Sequence, residues 1–496
     1  MSLDDIRNIR FAKLQRLTER FGSAYPSEVA RTHTTAEVRD TFKALLKKKR
    51  LTLTVAGRVR AIRGHGGATF LDIDDGSGKL QIYLKKDDIG DESYGAFIDN
   101  IDVGDVVEIT GSPFLTKRKE PTVLASNWRP LAKALLPLPD SWAGLQDMEE
   151  RFRTRALDLL TNEETRARFK ARRDIISAMR TFLEHEGFEE VETPILQPLY
   201  GGALARPFET FHNALEEKLY LRIAPELYLK RLIVGGMPRV FEIGKNFRNE
   251  GIDVSHSPEF TELEGYMAYE DRHSLEMFLE RFVLAVVKQS VGKLVLSFDG
   301  KEIKIKKPFK RIKFMDAIKE YALLPGVESM SVDDLRSATE RLGIQVGRAM
   351  TKGKLLDEIF KKSVRKHLVS PTFITHHPLD ISPLAKAAPG GQYADRVQLI
   401  MGGQEVMNAY AELNDPIEQR KRFESQEDLR ASGDMEAVGV DESYLESMEY
   451  GMPPTAGFGI GVDRFVQLLT DTHNVREVIL FPLLRTKKEG EEAQEK

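Results

Sequence analysis

Residue types able to do chemistry concentrate between Phe241 and Tyr269, a stretch that reads FEIGKNFRNEGIDVSHSPEFTELEGYMAY. Two alternating apolar and polar segments flank a polar turn containing glycine, which predicts a β-hairpin with a long loop. Alternation sends Phe241, Ile243 and Phe247 to one face, with Leu263 and Met267 on one face of the second strand. The alternate sets are Glu242, Asn246 and Arg248, then Glu262, Glu264 and Tyr266. Like charges side by side destabilise a strand pair unless opposite charge offsets them. Such a face either receives a cationic or metal-bound ligand, or is a water-exposed sheet face whose arginine and glutamates satisfy one another.

Three other segments carry candidate groups. In TAGFGIGVDRF, Gly457, Gly459 and Gly461 recur at every second position, which on a strand strips side chains from one face. That leaves flat backbone, either a floor for a planar ring or a tightly packed strand. Asp463 and Arg464 open a helix beginning near 463, and the spacing is neither the Rossmann glycine pattern nor a Walker loop. Ala224-Pro225-Glu226 starts a helix with proline at its first turn, where Glu226 suits the helix dipole. In EVMNAYAELND, Asn408 and Glu412 share strand parity, whereas Glu405 falls on the other face unless a bulge intervenes. The histidines show no zinc-ligand spacing such as HExxH.

The elements that must position these groups follow from the rest of the chain. A length of 496 residues allows two to four domains and a sizeable core. No stretch approaches the ~20 consecutive apolar residues of a membrane span, and no apolar signal segment opens the chain. With no cysteine, disulfides, thiol catalysis and Cys-ligated zinc are excluded, which fits a reducing cytosol. A formal net charge of −4 leaves any polyanion contact to local patches. No internal repeat is present.

Residues 3–21 pattern as an amphipathic helix, with Leu3, Leu14, Leu17 and Phe21 on its apolar side. Its flanks carry Arg7, Arg10, Lys13, Arg16 and Arg20, which suits either a docking helix or an arm touching a polyanion. Strands are predicted from Leu51 and over 68–74, 79–85, 105–111 and 121–128, with a short helix near 92–99. Five strands with a helix between the third and fourth are what an OB barrel needs, and its second and third strands commonly bind single-stranded nucleic acid. Leu71, Ile73, Leu80, Ile82 and Leu84 point inward, so Phe70, Gln81 and Tyr83 point out as a stacking platform. Arg63 and the run Lys47 to Arg50 are candidate phosphate or base contacts. The segment 129–147, with Pro130, Pro137, Pro139 and Gly144, reads as a linker. Beyond it a helix spans 163–187, a strand runs from Phe188 to Thr193, and 310–367 is mostly helical and polar without visible chemistry.

Together these segments resemble the three signature motifs of the class II aminoacyl-tRNA synthetases, most closely those of the lysyl branch. The helix with FEEVETP resembles motif 1, VFEIGKNFRNE through HSPEFT motif 2, and GFGIGVDRF motif 3. GGALARPF (201–208), RIAPELYLKRL (222–232) and NAYAELNDP (408–416) separate the lysyl branch from its aspartyl and asparaginyl relatives. The resemblance runs from about residue 3 to Arg485.

It implies an α+β chain. An N-terminal helix and OB-fold anticodon-binding barrel over 1–140, with a linker about 129–150, would precede a catalytic domain over 151–485. That domain would hold a six-stranded antiparallel sheet flanked by helices and a helical insertion about 310–367, followed by a charged tail, 486–496. It also implies a two-step, Mg²⁺-dependent reaction in a cytoplasmic homodimer joined through motif 1, with no membrane partner. L-lysine and ATP would give lysyl-adenylate, and the lysyl group would pass to the terminal adenosine of tRNA(Lys).

By resemblance, Arg248 holds the α-phosphate and lysine carboxylate, and Glu250 reads the adenine amino group. Phe260 stacks on adenine, while His256 and Arg464 meet the β- and γ-phosphates, with Arg248 and Arg464 the catalytic pair. Glu226 and the backbone at Gly202 hold the α-amino group. Glu412, with Tyr266 and Glu264, receives the ε-ammonium, and Asn408 lines the same pocket. A buried ammonium is costly unless paired, so a lysine pocket needs more than one carboxylate, whereas an aspartate pocket would need cations. In the barrel, Arg63, Phe70, Gln81 and Glu120 match positions the family uses on a U-rich anticodon. Glu405 would bind Mg²⁺ with a second acidic residue, but Gln398 stands at that position, which weakens one metal site. Ser257 stands where asparagine is usual. Two other readings remain: a synthetase-like paralogue attaching lysine or an analogue to a protein, and a non-catalytic RNA-binding module. Such paralogues lack the barrel, which this chain keeps, and a degenerate module would have lost Arg248, Glu250 or Arg464.

Overall fold

The computed structural model describes residues 1–139, 145–347, 350–431 and 438–486, so Gly144 and nearly all of the expected tail lie outside the description. The chain divides into two units, Met1–Gln146 and Asp147–Lys496. In the first, α1 (Leu3–Phe21) opens with a capping box between Ser2 and Asp5 and stops at Gly22, whose φ of 78° suits glycine. Leu17 is buried, with Leu14 and Phe21 packed beside it. Leu3, expected on the apolar side, is exposed because the packed stripe covers only the later turns. Much of the helix's positive charge is spent on docking. Arg10 donates to the carbonyls of Ala134 and Leu136, and Lys13 pairs with Asp102 at 2.7 Å.

Strands β1 (Leu53–His65), β2 (Ala68–Asp74), β3 (Lys79–Lys85), β4 (Val106–Leu115) and β5 (Pro121–Ala132) close into a barrel in the order β1-β2-β3-β5-β4. Helix α2 (Asp91–Asn100) joins the third strand to the fourth. Leu71, Ile73, Leu80, Ile82 and Leu84 fill the interior, as alternation requires. Pro130, expected in a linker, lies inside β5 opposite Val107. The register shifts there, and such an irregularity tolerates a residue with no N–H to donate.

In the second unit, α3 (Glu163–His185) leads into β6, which is only Glu189–Glu190 rather than the expected Phe188–Thr193. The ladder ends because Thr193 serves Arg222 and Glu242 instead: its hydroxyl donates to Glu242 at 2.7 Å and its carbonyl accepts from Arg222. Next come α4 (Glu226–Val234), β7 (Arg239–Phe247), β8 (Glu259–Ala268) and α5 (Arg272–Ser290). The inserted segment holds β9 (Lys310–Lys313), α6 (Phe314–Tyr321), α7 (Val332–Arg341) and α8 (Lys352–Ile359). Then follow β10 (Thr372–Pro378), β11 (Tyr393–Met401), β12 (Gln404–Ala411), β13 (Thr455–Gly461) and α9 (Val462–Leu469).

Eight strands make one sheet in the order β9-β10-β11-β12-β13-β8-β7-β6. The central six are antiparallel, as expected, and the two short edge strands join parallel. One face presents Phe241, Leu263, Leu399, Met407 and Phe458 to α3, α5 and α9, forming the main core. This burial leaves the opposite face to the polar set. The insertion has a core of its own, including Phe314, Leu335, Leu355 and Phe360, so the polar reading of 310–367 is corrected. Among the described residues no helix is long and apolar enough to cross a membrane.

Candidate active site

The β7–β8 register places Glu242 opposite Glu264 and Gly244 opposite Glu262. On the other side of β8, Glu264 faces Gly459 and Tyr266 faces Gly457, which in turn face Asn408 and Tyr410 of β12. The alternate glycines are therefore a floor between rows of large polar side chains. A Cβ on Gly457 would land on Glu412 Oε1 and come within 2.5 Å of the Tyr266 ring. One on Gly459 would sit 3.2 Å from Glu262 Oε1.

The parity problem at Glu405 is resolved by a bulge. Leu399 pairs with Met407 while Ile400 pairs with Glu405, leaving Val406 as the extra residue. A bulge re-aims one side chain, and here it sends Glu405 to the same side as Asn408, where both line a cavity of about 340 Å³.

One end of this cavity is acidic. Glu226, Glu264, Tyr266, Tyr410 and Glu412 line it, with Gly202 at its wall. Gly202 has a φ of +88°, and a Cβ there would lie 2.9 Å from that of Glu226, so the backbone closes directly on the carboxylate's stem. Behind the wall Lys230, one helical turn after Glu226, has no exposed surface. Its ammonium lies 2.5 Å from Glu226 and pairs also with Glu412, itself 1% exposed. Tyr410 donates to Glu226 at 2.8 Å, and Tyr266 donates to Glu264 at 3.0 Å.

Burial by itself would drive the Lys230 ammonium toward losing its proton, but Glu226 and Glu412 beside it more than reverse this and hold it charged. Burial, reinforced by Glu262 and Glu226, holds Glu264 well above the usual carboxylate range, against the pull of Tyr266 and Arg248. Glu412 is likewise held high, chiefly by burial, although Lys230 opposes the shift. Three carboxylates thus face one built-in ammonium, so the acidic end is short of positive charge whenever all are ionised.

The other end carries arginines interleaved with carboxylates. A second cavity of about 130 Å³ shares Arg248, Glu262, Glu405 and Asn408 with the first. Glu250, His256, Phe260 and Arg464 also line it, beside Gly461. Arg248 lies over the Phe260 ring, its guanidinium carbon 4.9 Å from the centroid, with its Nη2 3.7 Å from Glu262. His256 pairs with Asp253 at 2.9 Å on the loop. The side chain of Arg464, on the first turn of α9, makes no hydrogen bond or ion pair among the described residues and lines the cavity. The start of that helix is held by Asp463, which accepts from the Thr261 N–H at 2.8 Å and from Arg172 at 2.6 Å.

From the insertion, a wide π-type turn over Phe360–Val364 continues α8. Lys361 and Arg365, four residues apart, therefore reach the cavity together. Arg365 pairs with Glu405, and Lys361 with Asp357 at 2.7 Å. Arg396 donates to Asn408 at 2.8 Å. Burial alone would raise Glu405, but Arg365 first, then Arg464, Arg396 and Lys361, hold it below the ordinary value. Gln398 is buried, lies opposite Asn408, and its carbonyl oxygen has no hydrogen-bond partner among the described residues. This donor set does not fit a protein-held divalent ion. Glu405 is committed to a guanidinium, Gln398 is neutral, and among the described residues no group of three or more His, Asp or Glu could hold a metal.

In the barrel unit, Phe70 stacks on Tyr83 with centroids 4.5 Å apart, and Tyr83 on Phe114 at 6.0 Å. Arg63, opposite Phe70 in the register, forks onto Asp72 at 2.6 and 2.9 Å. Gln81 accepts from Thr122 at 3.0 Å, and Glu120 is exposed at the turn before β5.

Sequence reasoning missed Lys230, Arg365, Lys361, Arg396, Arg172 and Phe114. Lys230 could have been found from its i, i+4 spacing to Glu226 inside an otherwise apolar helix. Phe114 was lost by ending its strand too early. Arg365 carries no local signal, because its partner Glu405 is distant in the chain, and Arg396 meets Asn408 only once β11 and β12 pair.

A β-barrel with an aromatic outer face, and a six-strand antiparallel platform whose polar face joins carboxylates to arginines, together match known models. Residues 147–485 match the model of tRNA synthetases class II (D, K and N), and residues 53–131 match the OB-fold nucleic acid binding domain. The chain belongs to the class II tRNA synthetases of this group. Among particular proteins, it is similar to the lysine–tRNA ligase of Carboxydothermus hydrogenoformans, 45% identical over 489 residues, covering 97% of this chain and 98% of that protein. The lysine–tRNA ligase of Chloroflexus aurantiacus is 45% identical over 491 residues, covering 99% of this chain and all of that protein. That of Enterococcus faecalis is 44% identical over 488 residues, covering 97% and 98%.

Proposed function

We propose that this chain is a lysine–tRNA ligase, joining L-lysine to tRNA(Lys) at the expense of ATP. The observation that carries this reading is the polarity of one continuous cleft. Its inner end holds Glu226, Glu264 and Glu412 against a single ammonium, and its outer end holds Arg248, Phe260 and Arg464. An amino acid with two amino groups supplies the missing positive charge, and its carboxylate then lies toward the arginines. The relatives of matching length bear the same activity in their names.

In the first step a lysine carboxylate oxygen attacks the α-phosphorus of ATP. The bond to the bridging oxygen breaks, its electron pair leaves with pyrophosphate, and lysyl-adenylate remains. No proton needs to move, so catalysis rests on alignment and charge neutralisation. Arg248 binds both the carboxylate and the α-phosphate, Phe260 stacks on adenine, and Glu250 accepts from its amino group. His256 and Arg464 meet the β- and γ-phosphates, and magnesium arrives with ATP as part of the substrate. Glu226 and the Gly202 backbone hold the α-ammonium. Glu412, Tyr266 and Glu264 receive the ε-ammonium, with Asn408 beside them. In the second step the terminal ribose hydroxyl of tRNA attacks the lysyl carbonyl; the acyl–phosphate C–O bond breaks, its electron pair leaves with AMP, and the hydroxyl proton passes to the departing phosphate. The barrel reads the anticodon through Arg63, Phe70, Gln81 and Glu120. The enzyme works in the cytoplasm as a homodimer joined through α3 and the strand after it.

Lysine-dependent ATP–pyrophosphate exchange, followed by charging of tRNA with a UUU anticodon, tests this reading. Both are expected; exchange without charging would favour a protein-modifying paralogue, and no exchange with any amino acid would overturn catalysis.

A further inference from the structure

We propose that Arg365, delivered by the helical insertion, binds the nucleotide phosphates directly and supplies the positive charge that a protein-held divalent ion would otherwise bring to Glu405. This rests on the ligase reading and goes beyond it, because it names a phosphate ligand outside the signature motifs.

Glu405 lines both cavities, so it marks their junction, and Arg365 reaches it from the first while Arg464 approaches from the second. A phosphate chain between them would be gripped from two sides. Arg365 spends one terminal nitrogen on Glu405, and its other terminal nitrogen makes no hydrogen bond or ion pair among the described residues. A guanidinium is a planar fork of donors matched to phosphate oxygens, so a donor left unpaired beside the cavity is suited to a ligand oxygen. Magnesium is held through carboxylates together with substrate phosphates and keeps near-octahedral geometry. Here Gln398, which lines the same cavity, is neutral, and Glu405 is already paired with a guanidinium. Charge neutralisation has passed from ion to side chain. As the bond between the α- and β-phosphates breaks, negative charge grows on the departing pyrophosphate, and Arg365 and Arg464 stabilise it.

Steady-state exchange against free Mg²⁺, with MgATP saturating, tests this together with Mn²⁺ titration of the ATP-free enzyme by electron paramagnetic resonance. The wild type is expected to gain no more than twofold from free Mg²⁺ in excess of ATP and to bind no Mn²⁺ at Glu405. Arg365→Gln should lose at least 30-fold in kcat, while Arg365→Lys retains more and melts at the wild-type temperature. Arg365→Gln combined with Gln398→Glu should recover at least tenfold, and only as free Mg²⁺ rises to millimolar levels. An unchanged Arg365→Gln rate, or Mn²⁺ bound by the wild type and lost in Glu405→Gln, would overturn the proposal. Absence of lysine-dependent exchange in the wild type would instead overturn the ligase reading beneath it.

Discussion

The barrel's outer face and the cleft of the second unit solve recognition in opposite ways. On the barrel, Phe70, Tyr83 and Phe114 stack in a row on exposed strands, and their charged neighbours Arg63 and Asp72 remain in water. Each contact there is modest, and each can be removed without disturbing the rest. In the cleft, Glu226, Glu264, Glu412 and Lys230 are withdrawn from water, so every charge is strong and none is independent. The barrel is built for a ligand that brings its own stacking surface. On the proposed function, the cleft suits one that completes a charge balance.

The widest gap between the two is expected at Lys230. Lys230→Met leaves Glu226 and Glu412 buried without their cation, which costs about 3–5 kcal/mol. The melting temperature of the second unit should fall sharply in calorimetry; a change of only a degree or two would mean that these carboxylates reach water. Glu412→Gln keeps the shape and removes one charge. A buried charge pair that loses one partner forfeits about 2–5 kcal/mol, so kcat/KM for lysine should fall by at least 30-fold while binding of an ATP analogue is retained. On the barrel, Phe70→Ala should weaken tRNA use by about 1–3 kcal/mol and leave pyrophosphate exchange intact. Equal losses in both assays would erase the contrast.

A pH series sharpens it further. Glu264 is held above the usual carboxylate range by burial and by Glu262 and Glu226, so the empty cleft keeps a proton there that an incoming ammonium must displace. Lysine affinity should rise with pH between the ordinary and the raised value, by at most about tenfold per unit. Calorimetry in two buffers of different ionisation heat would register the released proton. The same shift makes Glu264 cost stability as pH rises through that window, because the unfolded carboxylate ionises earlier. The smallest effect is expected at Arg63→Gln, whose exposed pair with Asp72 contributes less than about 1 kcal/mol to folding, measurable as a near-unchanged melt.

Much of the architecture was legible because strands announce themselves locally. The second and third barrel strands fall over the residues that alternation predicted, and the outward position of Phe70 followed from parity alone. The hairpin's two faces were equally readable, since Leu263 and Glu264 are forced apart by the pleat. What misled was anything decided by a partner. Pro130 reads as a linker residue until β4 supplies the irregularity that accepts it, and Glu405 reads as facing away until Val406 bulges.

The amino-acid order alone therefore determined which side chains share a strand face, which segments turn, and that carboxylates and arginines alternate near one hairpin. Those properties depend on neighbours within a few residues. Only tertiary structure decided that Lys230 neutralises Glu412 from another element and that Arg365 crosses from the insertion to Glu405. Removal from water is what makes those charges strong, and burial belongs to the packed chain, not to any one segment of it.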